Sequence, residues 1–335
     1  MEDVKVSIYC LAYNCVDFFE KSIQGMLNQK VNFQYKIIIH DDASTDGTAD
    51  LIRRYAEQYP DKIYTIMQTE NQYVKGVDIC KEFISPKLEG KYVAICEGDD
   101  FWIDENKLQL QYDYMETHPN CSLCAHNTEI CDLNTGKKRN FNNWKDNHIL
   151  TEEETFLQWS VHTSSYFIRR KNEEWTGNYY MFGDYVMLTW AFYKGIVVCL
   201  PQIMSVYNFN NPNGLTKINY DDGSIKKQKI ERERILYLNE YNEKTQYRYN
   251  GVITKRCQII DYGCLERECD NIILHSDSKK DIIKAAKKLT SHEYYSEFLH
   301  TKKGIRRLIK KYRYEGYRFY PLWNIVMKIY LRNRL

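Results

Sequence analysis

The first hundred residues predict an α/β fold with a mostly parallel central sheet. Short runs rich in β-branched residues alternate there with stretches in which apolar residues recur at helical spacing. The run Ile37-Ile38-Ile39 is apolar at every position, which is typical of a strand buried on both faces. A β-α-β-α-β order of this kind indicates parallel strands with helices on both sides of the sheet.

Four buried strands and two helices are predicted in this part of the chain. The strands cover residues 4–11, 35–40, 63–67 and 92–96. The helices cover residues 18–29 and 48–59, and each has one apolar face. These faces consist of Phe19, Ile23, Met26 and Leu27 in the first helix and of Leu51, Ile52 and Tyr55 in the second.

The second half of the chain follows a different pattern. A helix that ends at about residue 118 is followed by a strand-like segment at 122–131 and a polar, irregular stretch at 132–160. A further α/β stretch covers residues 165–209, with a helix near 185–193. Beyond it, from about residue 223, the pattern is mostly helical.

Length and composition fit one large domain with an extension. The chain has 335 residues, of which 43% are apolar, and this is enough for a sizeable core. We predict an α/β domain at residues 1–220 and a helical C-terminal region at residues 221–335. The eleven cysteines have no regular spacing, which indicates reduced thiols in a cytoplasmic protein. Neither a signal peptide nor an apolar run of the roughly 18 residues that a membrane span needs is visible.

The net charge of +2 hides a strongly basic tail. Residues 302–335 hold eleven Lys or Arg and one acidic residue, Glu315, so the tail carries +10 and the remainder −8. Apolar residues recur at helical spacing within it. Two interpretations stay open: a helix on an anionic membrane surface, at the inner face of the cytoplasmic membrane, and a helix packed on the α/β domain. Nucleic acid is not expected, because no known binding motif accompanies the charge.

Polar residues follow three of the predicted strands. Asn14 comes after the first, the run Asp-Asp-Ala-Ser-Thr-Asp-Gly-Thr at 41–48 after the second, and the run Glu-Gly-Asp-Asp at 97–100 after the fourth. Ligands of parallel sheets bind beyond the carboxyl ends of the strands, so both acidic runs are expected in one crevice. A divalent cation, Mg²⁺ or Mn²⁺, would relieve the repulsion between their carboxylates, with Asp100 and Asp99 as candidate ligands.

The run at 41–48 also has a simpler interpretation. Ser44 or Asp46 suits a turn that caps the following helix. A turn does not explain the second acidic run after another strand, so the two runs together favour a site.

In order and spacing, these motifs resemble the family 2 glycosyltransferases of GT-A fold. The matching segments are Val6-Ser7-Ile8, Tyr13-Asn14, the run at 41–48 and Glu97-Gly98-Asp99-Asp100-Phe101-Trp102, and the likeness covers roughly residues 4–210. The resemblance implies a GT-A catalytic domain, a nucleotide-sugar donor, UDP-sugar in particular, and Mn²⁺ or Mg²⁺ as cofactor. It implies metal coordination by Asp100 together with Asp99. The donor contacts that it implies are Leu11, Ala12, Tyr13, Asn14, Asp41, Asp42 and Asp99.

The resemblance also implies an acceptor side. The run Phe182-Gly183-Asp184-Tyr185 matches the segment that carries the general base in the family, so Asp184 would deprotonate an acceptor hydroxyl. A helix N-cap is the alternative role for Asp184. One base opposite a metal motif predicts inversion at the anomeric carbon. The segment that matches the acceptor side of the family is His162, Thr163 and Ser164, with an ordinary loop as the alternative.

Two segments depart from the family pattern. Family members often carry an Arg-containing helix after the third strand, whereas residues 71–83 contain no Arg, so Lys75 and Lys81 are the candidates for that donor contact. Many members also end the domain with Tyr-Arg-x-His, and here the run is Tyr207-Asn208-Phe209-Asn210. The imidazole is therefore missing, and the candidates for a phosphate contact in its place are Asn210, Asn213 and Thr216.

These features together predict an inverting, hexosyltransferase-like enzyme. It would move a sugar from a nucleotide-diphosphate donor to a glycan or lipid-linked acceptor in cell-surface polysaccharide synthesis. Two other classes stay open: a sugar-nucleotide-binding protein without catalysis and, less favoured, a Mg-dependent phosphoacceptor signalling domain. Release of a nucleoside diphosphate would separate the transferase from both.

Overall fold

The computed structural model describes residues 3–170, 183–214 and 225–275, with five further positions between 280 and 288. The chain divides into two units, Met1–Val252 and Ile253–Leu335, and the first contains the sheet. The predicted domain boundary at residue 220 and the basic tail lie outside the described residues. Both stay predictions from the sequence.

The N-terminal part of the sheet is parallel. Strands β1 (Val4–Ala12), β2 (Gln34–Asp41), β3 (Ile63–Met67) and β4 (Tyr92–Ile95) lie in the order β3-β2-β1-β4, and every neighbouring pair is parallel. The chain passes from β1 to β2 through helix α1 and from β2 to β3 through helix α2. These helices cover Val16–Leu27 and Thr48–Gln58. The β-α-β-α-β order predicted from the sequence is confirmed.

The short strand β9 (Phe167–Arg169) joins this parallel part of the sheet to a second part of mixed direction. Strand β5 (Phe101–Trp102) precedes helix α3 (Lys107–Thr117), and β6 (Cys121–Asp132), β9 and β10 (Ile196–Phe209) continue the sheet in the order β4-β9-β6-β10-β5. β9 is antiparallel to both of its neighbours, whereas β6 and β10 are parallel to each other. The central sheet is therefore parallel in its first half and mixed in its second.

The polar stretch between β6 and β9 is more regular than its composition indicates. Strand β7 (Lys138–Asn140) pairs with β6, strand β8 (His148–Ile149) pairs with β10, and helix α4 (Glu152–Phe156) follows. Helix α4 begins at a capping box, in which Thr151 and Glu154 each accept a hydrogen bond from the other's backbone N–H. Strands β7 and β8 therefore extend the half of the sheet that lies beyond β4 and β9 from β1.

Alternation along β1 divides the apolar core into two layers. Val6, Ile8 and Cys10 pack in one layer with the apolar faces of α1, α2 and α3, and Tyr9 packs in the other. The second layer includes residues of helix α5 (Gly183–Lys194). Because successive side chains of a strand point to opposite faces, both faces of the sheet are covered. The carboxyl edge of the parallel strands is left for a ligand.

Helices follow β10 in the described part of the chain, as predicted. Helix α6 (Ile225–Lys244) packs on α5, where the Tyr241 hydroxyl donates to the backbone oxygen of Thr189 at 2.8 Å and the Tyr241 ring contacts Trp190. Helix α7 covers Asn250–His275. None of the helices among the described residues is long and apolar enough to cross a bilayer.

Candidate active site

Three strand ends meet at the carboxyl edge of the sheet. Ala12 of β1 lies in register with Asp41 of β2. The backbone N–H of Gly98, just after β4, donates to the backbone oxygen of Leu11 at 2.8 Å, and that of Asp42 donates to Ala12 at 3.0 Å. The polar runs after β1, β2 and β4 therefore line one crevice, as the sequence predicts.

Gly98 allows the acidic run to approach β1 closely. A Cβ atom at this position would lie 2.8 Å from Cys15 Sγ and 3.2 Å from the backbone oxygen of Leu11. These separations are shorter than ordinary van der Waals contacts. Any side chain at position 98 would therefore push the run at 97–100 away from β1.

Glu97, Asp99 and Asp100 form a carboxylate cluster, in which one oxygen from each residue lies within 4.8 Å of the others. Asp100 is buried, and its Oδ1 accepts a hydrogen bond from the backbone N–H of Asn208 at 3.1 Å. Its Oδ2 is buried without a hydrogen-bond partner among the described residues. Such an oxygen is costly unless a cation or donor reaches it. The oxygen-only set suits Mg²⁺ or Mn²⁺, and it adds Glu97 to the two ligands predicted from the sequence.

Burial and mutual repulsion raise the pKa values of the three carboxyl groups in this cluster. Burial raises the pKa of Glu97 to about 8, with further contributions from the charges of Asp99 and Asp184. Burial also raises the pKa of Asp99 and that of Asp100, and the charges of Asp99 and Glu97 add to the effect on Asp100. A divalent cation would supply the positive charge that these groups lack. The residues therefore fit a cation in charge as well as in geometry.

Asp184 lies at the start of α5. Its charge contributes to the raised pKa of Glu97, Tyr9 and Tyr166, in each case after the larger effect of burial. Its Oδ1 also accepts a hydrogen bond from the backbone N–H of Tyr185 at 2.8 Å. Asp184 is the second residue of α5, and its hydrogen bond goes to the next residue rather than to the N–H groups that an N-cap binds. Both roles that the sequence left open, the base and the helix cap, stay predictions.

Asp42 fixes the loop that follows β3. Its two carboxylate oxygens accept hydrogen bonds from the backbone N–H groups of Gln72, at 2.7 Å, and Tyr73, at 3.1 Å. The side chain is buried. Asp42 therefore holds this loop beside the strand ends, and its contact with a nucleotide base stays a prediction.

Asp41 shapes the turn between β2 and α2. Its Oδ2 accepts a hydrogen bond from the backbone N–H of Ser44 at 3.1 Å. Its Oδ1 is buried without a hydrogen-bond partner among the described residues. Asp46 accepts one from the backbone N–H of Thr48, the first residue of α2, at 2.9 Å. The N-cap of α2 is Gly47, without a capping side chain, so the expected cap by Ser44 or Asp46 is wrong.

Tyr13, Asn14 and Lys75 complete the predicted donor side. The Tyr13 side chain is exposed. Asn14 accepts a hydrogen bond from the backbone N–H of Thr45 at 2.8 Å. Lys75 is half exposed and forms an ion pair with Glu70. To reach a donor phosphate it would have to leave that partner, so its role stays a prediction.

His162, Thr163 and Ser164 form a buried turn behind Asp100. His162 Nδ1 lies 3.7 Å from Asp100 Oδ2 and accepts a hydrogen bond from the backbone N–H of Ser164 at 3.2 Å. Burial lowers the pKa of His162 to about 3, so its ring is neutral. The Ser164 hydroxyl is used inside the protein, in a hydrogen bond with Ser205 Oγ at 2.9 Å. Direct contact with an acceptor stays a prediction.

The end of β10 and the loop after it bring two asparagines onto the carboxylate cluster. Asn208 Nδ2 donates to the backbone oxygen of Asp99 at 2.6 Å, and Asn211 Nδ2 donates to Asp99 Oδ2 at 2.9 Å. Asn210, which the sequence singled out, instead donates to Asp132 Oδ1 at 2.9 Å. Asn208 and Asn211, rather than Asn210, therefore contact the carboxylate cluster, and the phosphate contact of Asn210 stays a prediction.

Of the other two residues proposed for a phosphate contact, the structure describes only Asn213. Asn213 Nδ2 donates to the backbone oxygen of Asn14 at 3.2 Å. Thr216 lies outside the described residues. The sequence missed Asn208 and Asn211 because the family motif aligned a histidine with Asn210, and a side chain on an irregular loop has no periodicity that shows where it points.

Comparison with known proteins identifies the family. Residues 7–175 match the family model described as Glycosyl transferase family 2. This chain belongs to glycosyltransferase family 2, as its motifs predict.

Two curated proteins are similar in sequence to parts of this chain. An uncharacterized protein of Mycobacterium tuberculosis (strain ATCC 25618 / H37Rv) is 28% identical over 219 residues, which are 65% of this chain and 62% of that protein. The chain thus spans about three fifths of the length of this relative. The UDP-Glc:alpha-D-GlcNAc-diphosphoundecaprenol beta-1,3-glucosyltransferase WfaP of Escherichia coli is 33% identical over 112 residues, 33% of this chain and 41% of that one.

A solved structure shows the fold. S. aureus TarS 1-349 in complex with UDP matches with a TM-score of 0.54 and 12% identity, over 94% of this chain and 93% of that one. The fold is the GT-A fold.

Proposed function

We propose that this chain transfers a sugar from a nucleotide-diphosphate sugar to a hydroxyl group of a glycan or lipid-linked acceptor in polysaccharide synthesis. The observation that carries the proposal is the carboxylate cluster of Glu97, Asp99 and Asp100 at the carboxyl edge of a GT-A sheet. A UDP-sugar is the favoured donor, because TarS has been solved with UDP and the name of WfaP specifies UDP-Glc. That name also specifies a diphosphoundecaprenol-linked acceptor, which supports a lipid-linked acceptor here.

The carboxylate cluster would hold the divalent cation. When bound, Mn²⁺ or Mg²⁺ neutralises the charge that develops on the departing diphosphate. The Asn211 side chain donates a hydrogen bond to one oxygen of Asp99, and the backbone N–H of Asn208 donates one to an oxygen of Asp100. These bonds hold the two carboxylates in a fixed orientation. The donor base would lie towards the ends of β1 and β2, where Tyr13 is exposed.

Asp184 would be the general base. As the acceptor hydroxyl oxygen attacks the anomeric carbon, its proton passes to the Asp184 carboxylate and the bond from that carbon to the diphosphate oxygen breaks on the opposite face. This single displacement inverts the anomeric configuration. NMR of the product would show the configuration directly, and retention would contradict the mechanism.

Nucleoside diphosphate release from a panel of nucleotide sugars tests the proposed activity. We expect UDP release from at least one UDP-sugar in Mn²⁺, with loss of release in EDTA and recovery when Mn²⁺ is returned. Glycan and lipid-linked sugars are added to the same panel as acceptors. Binding of a nucleotide sugar without release in any mixture would favour a binding protein without catalysis, and absence of both binding and release would contradict the proposal.

A further inference from the structure

Five aromatic rings form a cluster beside the carboxylates. The cluster consists of Phe141, Trp159, His162, Tyr207 and Phe209. The rings of His162 and Tyr207 are stacked, with centroids 4.2 Å apart. Because His162 Nδ1 lies 3.7 Å from Asp100 Oδ2, this aromatic cluster adjoins the proposed metal site.

Trp159 is the most exposed member of the cluster. Its side chain is 49% exposed, whereas His162 and Tyr207 are buried. The indole lies 4.9 Å from the Phe141 ring at 85° and 5.7 Å from the Tyr207 ring at 80°. Neither of these rings lies parallel to the indole, so neither covers it face to face, while both edge contacts fix its orientation.

A single exposed apolar side chain needs no function. Trp159 differs from such a residue because three neighbouring rings hold it next to a polar site. Binding sites combine apolar and aromatic surface of this kind with a few polar groups. The arrangement therefore points to a ligand that has a flat apolar face.

We infer that Trp159 is a stacking platform for a sugar ring of the acceptor, an inference that rests on the proposed transferase function. One face of a pyranose ring presents several C–H groups, and these pack on the electron-rich face of an aromatic ring, while the hydroxyl groups at the rim stay hydrated.

The position of Trp159 in the fold favours a sugar of the acceptor, rather than the donor, as the ligand. The nucleotide is expected at the ends of β1 and β2, whereas Tyr207, which holds Trp159, belongs to β10. In the sheet order β3-β2-β1-β4-β9-β6-β10-β5, these strands lie on opposite sides of β4, after which the carboxylate cluster follows. A ring stacked on Trp159 would approach the cluster from the side away from the nucleotide.

Fluorine NMR tests the platform with simple probes. The chain has six tryptophans, and the signal of Trp159 in the 5-fluorotryptophan-labelled full chain is assigned by its loss in Trp159→Phe. With Mn²⁺ and UDP present, we expect methyl glycosides of common hexoses to shift this signal more than the acyclic polyol sorbitol does at equal concentration. If no glycoside shifts the Trp159 signal more than sorbitol does, or if UDP with Mn²⁺ already produces the full shift, the inference that Trp159 binds an acceptor sugar is wrong.

Kinetics of variants provide the second test. In the UDP-release assay, Trp159→Ala should raise the KM of the acceptor about tenfold and leave UDP affinity unchanged. Trp159→Phe keeps an aromatic ring, so the KM should rise less in this variant. Tyr64→Ala is the matched control, since Tyr64 is 45% exposed on β3, at the other edge of the sheet. An unchanged acceptor KM in Trp159→Ala would overturn the inference.

Failure of the wild-type chain to bind UDP would instead contradict the proposed function. The fluorine signal of Trp159 reports on sugar binding in either case.

Discussion

Asn210 and Asn211 are neighbours in the sequence, but only Asn211 reaches the carboxylate cluster. We predict that Asn211→Ala weakens Mn²⁺-dependent UDP binding about tenfold, because residues that orient metal-bound carboxylates commonly contribute this much. Calorimetric titration of UDP in Mn²⁺ measures the effect. Asn210→Gly removes the same amide one position earlier, keeps the left-handed backbone of that position (φ 64°), and should change the affinity by less than about twofold. Equal losses in both variants would contradict the role assigned to Asn211.

Asp184 can be tested with a substitution that separates its two roles. Asn accepts a hydrogen bond from a backbone N–H as Asp does, so Asp184→Asn keeps the contact with Tyr185 and the start of α5. It cannot take a proton from the acceptor, and turnover should fall about a hundredfold or more. UDP affinity and melting temperature should stay unchanged. Normal turnover in Asp184→Asn would leave the residue with the helix cap alone.

The sequence predicts those site residues that follow a regular strand. Asp99 and Asp100 stand just after β4, and the end of a buried parallel strand has a known place in the fold. Asn211 and Trp159 stand on irregular segments, where no periodicity shows the direction of a side chain. Their contacts with Asp99 and with the aromatic cluster depend on residues far away in the sequence, so only the structure reveals them.

Among the elements, the close approach of the acidic run to β1 depends on Gly98. Gly98→Ala would bring a Cβ atom to 2.8 Å from Cys15 Sγ, and such overpacking lowers the free energy of unfolding by about 1–3 kcal/mol. Denaturant titration measures the loss, and UDP affinity should fall with it, because the run moves relative to β1. Gly251→Ala is the control, since a Cβ there meets open space and alanine favours a helix more than glycine does, so stability should stay the same or rise slightly. Equal stability of the two variants would show that the strands adjust without cost.

The elements also show where sequence patterns stop being informative. Strands β1 to β4 and helices α1 and α2 have clear periodicity, and the structure places them close to the predicted bounds. The two-residue β8 and the three-residue β7 and β9 are too short for a periodic pattern. The antiparallel join made by β9 could not be predicted, since strand direction within a sheet depends on the whole topology. The capping box at Thr151 was a local signal that the sequence did contain.

For the whole molecule, the basic tail is the part whose role rests on the sequence alone. Removal of residues 302–335 should weaken sedimentation with anionic vesicles and leave Mn²⁺-dependent UDP binding intact, since the proposed donor residues all precede the tail. Each Lys or Arg near an anionic surface contributes about 1 kcal/mol, and salt screens this attraction. Binding should therefore be stronger at low than at high ionic strength. A full-length chain that stays in the supernatant at low salt, or a truncated chain that unfolds, would contradict this role.

The central claim is that Glu97, Asp99 and Asp100 hold a divalent cation that binds the donor diphosphate. Titration calorimetry of UDP, in Mn²⁺ and in EDTA, tests it most directly when the wild-type chain is compared with Asp100→Asn, which keeps the shape of the side chain and removes its charge. We predict that Mn²⁺ tightens UDP binding to the wild type about tenfold or more, and that this gain disappears in Asp100→Asn while the melting temperature is retained. UDP binding that is the same in Mn²⁺ and EDTA, or a gain that survives in Asp100→Asn, would contradict the claim.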